Sequence, residues 1–320
     1  MADVAALKQR KPQSPPVPTG AQGTLEASPA PVFAMLTDRG SKRQSNQDAC
    51  AALPEHGVFV VCDGMGGAAA GEVASQLACN TFLDCIALHC CPPPLSISSE
   101  SIASVTFAND TPQHAVNSRP RTRLGDAVRA ANQAVFRHSR KSPSLHGMGT
   151  TLVALLWERS ASRHQSPSIW LAHVGDSRCY RLRAGVLEQL TEDHSLVEEQ
   201  IRAGVLNRIQ ATASPMRNII TRAIGSRATV EASIATHATL PGDLYLLTSD
   251  GLPRELDDDA IAEILARTAS PAALDAALRD AATPTLSLQT ALDEACRALV
   301  DAANAHGGRD NITVLLVACP

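Results

Sequence analysis

With 320 residues and 44% apolar content, the chain is long enough for one large hydrophobic core or two modest ones. A formal net charge of −4 gives no broad positive field, so neither nucleic acid nor an anionic membrane surface is expected as a partner. No uncharged apolar run reaches the length of about 18 residues that a membrane span needs, and the first residues lack the apolar stretch of a secretory leader. The 9 cysteines are odd in number, form no Cys-x-x-Cys pair and sit mostly in apolar runs, as Cys62 and Cys319 do. Buried reduced thiols in a cytoplasmic protein are expected from this usage, rather than disulfides or a zinc site.

In chain order, residues 1–31 carry Pro12, Pro15, Pro16, Pro18, Pro29 and Pro31 among Gly, Ser, Ala and Gln, a composition expected to form a disordered tail. A first strand is predicted over Val32–Leu36. A polar loop through Arg43 and Asp48 follows, then strands over Ala49–Leu53 and Val58–Cys62 joined by a turn at Pro54–Gly57. The second of these is apolar on both faces and stops at Asp63, where three glycines, Gly64, Gly66 and Gly67, let the chain leave the sheet in a tight turn. Ala68–Leu88 reads as a helix, ended by Pro92, Pro93 and Pro94, and residues 89–122 as an inserted loop. Helical spacing resumes over Arg123–Arg140, with Leu124, Val128, Ala131, Val135 and Phe136 on one face.

Strands are predicted over Leu152–Trp157, Ser168–Val174, and the hairpin Cys179–Arg183/Val186–Leu190 around Ala184-Gly185. A helix over Leu196–Ala203 is expected to be capped by Asp193 or Thr191. Residues 204–237 give no clear element. Asp243–Thr248 is a strand, and Asp257, Asp258 and Asp259 suit the N-terminus of a helix over Ala260–Arg267. Helices over Pro271–Ala282 and Leu288–Ala303 precede a closing strand, Ile312–Cys319. This order lacks the βαβ alternation of a doubly wound sheet and predicts an α+β fold of antiparallel sheets with helices outside. The same order, together with the lack of a G-x-G-x-x-G fingerprint, argues against nucleotide binding at the glycines after Asp63.

Four strand boundaries carry Asp beside Gly, Ser or Asn: Asp63-Gly64, Gly175-Asp176-Ser177, Ser249-Asp250-Gly251 and Asp310-Asn311. One such feature is a turn or a cap. Four of them imply strand ends converging on one edge of a sandwich, where clustered carboxylates need cations to neutralise them. Donors made only of oxygen favour Mg²⁺ or Mn²⁺ over zinc. Asp48 is a candidate fifth carboxylate. Arg43 is a solvated loop charge, a salt-bridge partner of Asp38, or a holder of a phosphate oxyanion.

Eight ordered stretches carry a family resemblance. They are Thr37-Asp38-Arg39-Gly40 through Arg43 to Asn46-Gln47-Asp48, Asp63-Gly64-Met65-Gly66-Gly67, Gly147-Met148-Gly149-Thr150-Thr151, Val174-Gly175-Asp176-Ser177-Arg178, Leu190-Thr191-Glu192-Asp193-His194-Ser195, Thr221-Arg222-Ala223-Ile224-Gly225, Ser249-Asp250-Gly251-Leu252 and Gly308-Arg309-Asp310-Asn311. Over residues 32–320 the chain resembles the metal-dependent protein phosphatases of the PP2C (PPM) family, bacterial type.

The resemblance implies a four-layer α/β/β/α sandwich and hydrolysis of phosphoserine and phosphothreonine in proteins by a metal-bridged hydroxide. It implies two Mn²⁺ or Mg²⁺ ions, bridged by Asp63, with the Gly64 carbonyl completing one and Asp250 and Asp310 holding the first. A third, weaker ion would lie at Asp176 with Asp250. Asp48 would support metal-bound water, Arg43 would grip the substrate phosphate, and residues 196–222 would form a mobile flap. Met65 stands where many eukaryotic members carry a proton-donating His, which leaves His56 and His146 as alternative acids beside metal-bound water. Gln47 stands where a Glu is frequent. The implied partners are phosphoproteins, including a Ser/Thr kinase or its substrates, and the implied state is a cytoplasmic monomer. A binding module that had lost activity would be expected to lack a metal aspartate; Asp63, Asp250 and Asp310 are all present.

Overall fold

The computed structural model describes residues 31–66, 70–90, 120–158, 167–212, 214–269 and 284–319. Two antiparallel sheets lie face to face. One runs in the order β1 (Val32–Asp38), β11 (Ile312–Ala318), β10 (Leu244–Thr248), β7 (Arg178–Arg183), β8 (Val186–Gln189). The other runs β2 (Asp48–Leu53), β3 (Val58–Met65), β5 (Leu152–Glu158), β6 (Ser168–Val174), β9 (Ser233–Ala238), with the two-residue β4 (Gly149–Thr150) paired to the end of β3. Helices α1 (Ala70–Cys90) and α2 (Pro120–Ser139) cover the second sheet, and α6 (Asp258–Thr268) and α7 (Pro284–Ala305) the first. The expected four-layer α+β sandwich is therefore present.

Strand alternation explains the layers. In β3, Val58, Val60 and Cys62 pack under α1 and α2, while Phe59 and Val61 face the opposite sheet. In β11, Ile312, Val314 and Leu316 lie under the helices, and Leu315 and Val317 enter the space between the sheets. Tyr245 and Leu247 of β10, Cys179 of β7, Val153, Leu155 and Trp157 of β5, and Ile169 and Leu171 of β6 join them in that layer. The seven cysteines recorded as free thiols, Cys50, Cys62, Cys79, Cys85, Cys179, Cys296 and Cys319, are buried or half-buried, as their apolar settings suggest.

Following the same alternation beyond the apolar filling places polar residues in register at one end. Asp63 continues the Phe59–Val61 face, and Asp48 is its partner across β2. Thr313 continues the Leu315–Val317 face, and Ser249 follows Leu247. The period of two that builds the core thus aims these side chains into the mouth of the inter-sheet layer.

Several expectations need correction. Asp63 does not leave the sheet: β3 runs on to Met65, because Gly64 and Met65 find partners in Thr150 and Gly149. The helix after the 190s, α3 (Leu196–Arg202), is capped by Ser195, whose Oγ accepts from the Glu198 amide. Asp193 and Thr191 are occupied elsewhere, by Arg178 and by the Cys179 amide. Residues 204–237 do contain elements, a short α4 (Arg208–Thr212) and the edge strand β9. Asp257 caps α6 by accepting from the Ala260 amide, as the run of acids suggested. Ala184 (φ 50°) and Gly185 (φ 81°) form the hairpin turn between β7 and β8 with both central residues left-handed. Almost all of the proline-rich tail, most of the 89–122 segment, and the helix expected over Pro271–Ala282 lie outside the described residues.

Candidate active site

Four separate segments bring their carboxylates to the cleft. Asp48 and Asp63 face each other across β2 and β3. Asp176 sits in the loop between β6 and β7. Asp250 directly precedes the short α5 (Gly251–Glu255), and Asp310 directly precedes Asn311 at the start of β11. Two adjoining hollows, of about 450 and 620 Å³, meet at Asp250, Arg254 and Asp310. Asp63, Gly64, Met65 and Arg43 line the first, and Asp176 lines the second.

Asp63 is fixed through its backbone and Asp48 through neighbouring hydroxyls, which leaves carboxylate oxygens for the cleft. The Asp63 carbonyl accepts from the Thr151 amide and the Thr150 hydroxyl, both at 2.8 Å, and its amide donates to Thr151 Oγ1 at 2.9 Å. Asp48 Oδ2 accepts from Ser249 Oγ (2.7 Å) and Thr313 Oγ1 (2.6 Å). Its Oδ1 is buried with no donor, and the same is true of Asp176 Oδ1 and Asp250 Oδ1. Asp250 is the residue before α5, but its side chain does not cap that helix. A buried carboxylate oxygen without a donor is costly unless a cation meets it.

The charges crowd one another. Burial raises the Asp63 carboxyl well above the usual range, with Asp48 and Asp250 adding to the effect. Asp250 is raised by burial and then by Asp176, and Asp176 by burial and then by Asp193. The Asp48 carboxyl is pushed from 3.8 up to about 6, burial outweighing its two hydroxyl donors. A carboxyl that binds its proton more tightly folded than unfolded stabilises the fold at low pH, and that contribution is lost as pH rises through the folded pKa. In the presence of chelator, the melting temperature attributable to this cluster is thus expected to fall as pH is raised from about 4 through 6. Added divalent cation should reverse the fall. A chelated protein that grew steadily more stable over the same window would contradict this.

Two guanidiniums stand among the carboxylates. Arg43 Nη2 donates to Asp310 Oδ2 at 2.8 Å, so its partner is Asp310 and not Asp38. Arg254 pairs with Asp250 and also donates to Asp310 Oδ2, at 2.9 Å. Among the described residues, no three carboxylates, imidazoles or thiols are gathered into a complete cage for a metal ion. The donor set nonetheless suits one: the carboxylates supply oxygen only, three of their buried oxygens lack donors, and their mutual repulsion calls for added positive charge.

Glycine permits the crowding. A Cβ on Gly64 would lie 2.1 Å from the Gly71 carbonyl oxygen, and one on Gly251 would lie 1.9 Å from that of Asn311.

Sequence reasoning missed several supports. Asn311 Oδ1 accepts from the Gln47 amide (2.8 Å), while its Nδ2 donates to the carbonyls of Arg39 (2.9 Å) and Ser45 (3.0 Å). One side chain thereby fastens the Arg43 loop to the start of β11. Arg178 holds Asp193 through Nε and Nη2. His194 Nδ1 accepts from the Gly175 amide and the ring stacks on His173 at 4.6 Å, beside the Asp176 turn. Burial, His173 and Arg222 push the His194 pKa down to about 3, so the ring is neutral and structural. Asn311, Arg178 and His194 all stand inside the ordered stretches that carry the resemblance, but nothing local shows what each one holds. His56 stands before β3, at the end opposite Asp63. A strand that long spans roughly 20 Å, so His56 is removed from the cleft. His146 does not line either hollow.

An antiparallel two-sheet sandwich flanked by helix layers, with an all-oxygen acidic cleft at one end, defines the class of divalent-metal phosphohydrolases. Within it, the chain belongs to the protein phosphatase 2C family, whose sequence model matches residues 37–294. It is 32% identical over 284 residues to the serine/threonine phosphatase stp of Listeria monocytogenes, covering 88% of this chain and 93% of that protein. Its fold is similar to the crystal structure of the Mycobacterium tuberculosis serine/threonine phosphatase PstP/Ppp, with a TM-score of 0.66, 31% identity, and coverage of 90% and 98% of the two chains. It is also similar to the PstP catalytic domain in complex with 2 manganese ions (TM-score 0.64, 30% identity, 90% and 98% coverage).

Proposed function

We propose that the chain hydrolyses phosphoserine and phosphothreonine in proteins, with Asp63, the Gly64 carbonyl, Asp250 and Asp310 holding a pair of Mn²⁺ or Mg²⁺ ions. The observation that carries this reading is that Asp63, Asp176, Asp250 and Asp310, from distant segments, line two adjoining hollows, while Asp176, Asp250 and the neighbouring Asp48 each keep a buried oxygen without a donor. Asp176, beside Asp250, is the ligand of a third, weaker site. When bound, the cations supply an activated water and neutralise charge on the phosphoryl oxygens.

The chain's own groups do the rest. Asp48, held through Oδ2 by Ser249 and Thr313, presents Oδ1 as a fixed acceptor that orients water. Arg43 is half-exposed at the mouth and keeps further N–H donors beyond the one on Asp310, so its planar fork meets phosphate oxygens bidentately. Met65 lines the cleft without a proton to give, so the side chain after Gly64 contributes shape and not acid catalysis. None of the cysteines enters the chemistry.

Residues 32–320 form the phosphatase domain, with 1–31 as a tail; the insertion expected over 89–122 is narrower at both ends, because α1 runs to Cys90 and α2 starts at Pro120. No helix among the described residues is long and apolar enough to cross a membrane. We assign the chain to the cytoplasm as a monomer that reverses Ser/Thr kinase signalling, acting on such a kinase or on its substrates. The test is direct. With Mn²⁺ the purified full chain is expected to release phosphate from a phosphothreonine peptide, and chelator to stop it. Release that persists in chelator, or none with either Mn²⁺ or Mg²⁺, would refute the assignment.

A further inference from the structure

The helix α5 begins immediately after Asp250, and the four-residue spacing brings Arg254 back over that carboxylate. The same guanidinium reaches Asp310 Oδ2 at 2.9 Å, so one side chain joins an acid just past the end of β10 to one just before the start of β11. Asp176 lies near enough to contribute to its field as well. Asp250 is 8% exposed, and its other oxygen, Oδ1, is buried with no donor. Arg254 therefore satisfies one oxygen of each acid and leaves the cluster still short of positive charge.

We propose that Arg254 is a built-in competitor for divalent cation at the Asp250–Asp310 pair. It neutralises the pair in the metal-free chain and yields its place as the ion enters. The inference rests on the reading that Asp250 and Asp310 hold metal. A cation that takes Asp250 through its donor-free Oδ1 together with Asp310 would lie within a few ångströms of the guanidinium already held by both carboxylates, so the two positive charges repel and the guanidinium must give way. Arg254 is on the surface side of the pair, about one-third exposed, and lines the larger hollow into which a long, flexible side chain can withdraw. Loading then requires two charge-assisted contacts to break, which lowers the affinity for metal. In exchange, the acids are not left bare when metal is scarce.

The experiment needs no substrate. Mn²⁺ binding to the full chain is measured by titration calorimetry, and thermal melting is followed in chelator and in Mn²⁺, for wild type, Arg254→Gln and Arg254→Lys. Removing a unit charge a few ångströms from the site should tighten Mn²⁺ binding by roughly tenfold or more in Arg254→Gln. The same variant should melt lower than wild type in chelator and show a larger Mn²⁺-induced rise. Arg254→Lys, which keeps the charge, should restore most of the stability in chelator. Unchanged or weaker Mn²⁺ binding in Arg254→Gln, or equal losses of stability with and without Mn²⁺, would overturn the competitor role. A wild-type chain that binds no Mn²⁺ would overturn the metal reading itself, a different result from binding that ignores Arg254.

Discussion

Asp63→Asn is expected to lower turnover of a phosphothreonine peptide by at least about 10³-fold while leaving the chain folded. The amide is isosteric with the carboxylate, and the backbone of residue 63 is held by Thr150 and Thr151 through its own amide and carbonyl. Strand register therefore survives the change. What is lost is the negative charge nearest the middle of the cluster, which Asp48, Asp250, Asp176 and Asp310 all sense. Because that charge is repelled in the metal-free state, the variant should melt no lower than wild type in chelator, and its Mn²⁺-dependent stabilisation should shrink. Circular dichroism, melting and peptide turnover together separate these effects. Turnover within tenfold of wild type would remove Asp63 from the metal assignment.

Gly64→Ala should be severe for a different reason. The added methyl would meet the Gly71 carbonyl oxygen at 2.1 Å and carbon at 2.5 Å, and the Gln47 carbonyl oxygen at 2.6 Å. All three are backbone atoms, so no side chain can swing aside. Relief requires β3 to move from α1 and from the loop that carries Gln47 into β2. Since the Gly64 amide donates to the Gln47 carbonyl at 3.1 Å, that movement also breaks a bond between the strands of Asp48 and Asp63. A loss of about 3 kcal/mol or more is expected, seen as a lower denaturant midpoint, with activity reduced even where the chain stays folded. A variant with wild-type stability would show that the glycine is not required by packing.

The fold was legible because apolar runs and their punctuation are local properties. Val58–Cys62, Ser168–Val174 and Ile312–Cys319 are each apolar enough to be strands, and the absence of βαβ alternation excluded a parallel sheet. The aspartates could be read as a set because each stands next to Gly, Ser or Asn at a strand boundary. The cap of α3 was misplaced because Thr191, Asp193 and Ser195 are all competent caps. The decision was made by Arg178 and the Cys179 amide, which lie elsewhere in sequence and occupy the first two. The end of β3 was set too early because its last partners, Gly149 and Thr150, form a strand too short to announce itself. Arg254 was invisible for a related reason: its meaning depends on Asp310, which is joined to it only through the pairing of β10 with β11. Relations between distant segments carry no local mark.

The clamp made by Asn311 has a consequence for the order in which the protein comes into being. It binds the carbonyls of Arg39 and Ser45 from a position more than two hundred residues later, and among the described residues β1 has its sole strand partner in β11. The opening strand and the Arg43 loop must therefore wait for more than two hundred further residues before their neighbour emerges from the ribosome. A chain without β11 lacks the strand that joins β1 to β10, so the cleft gains its final shape only after that strand is in place.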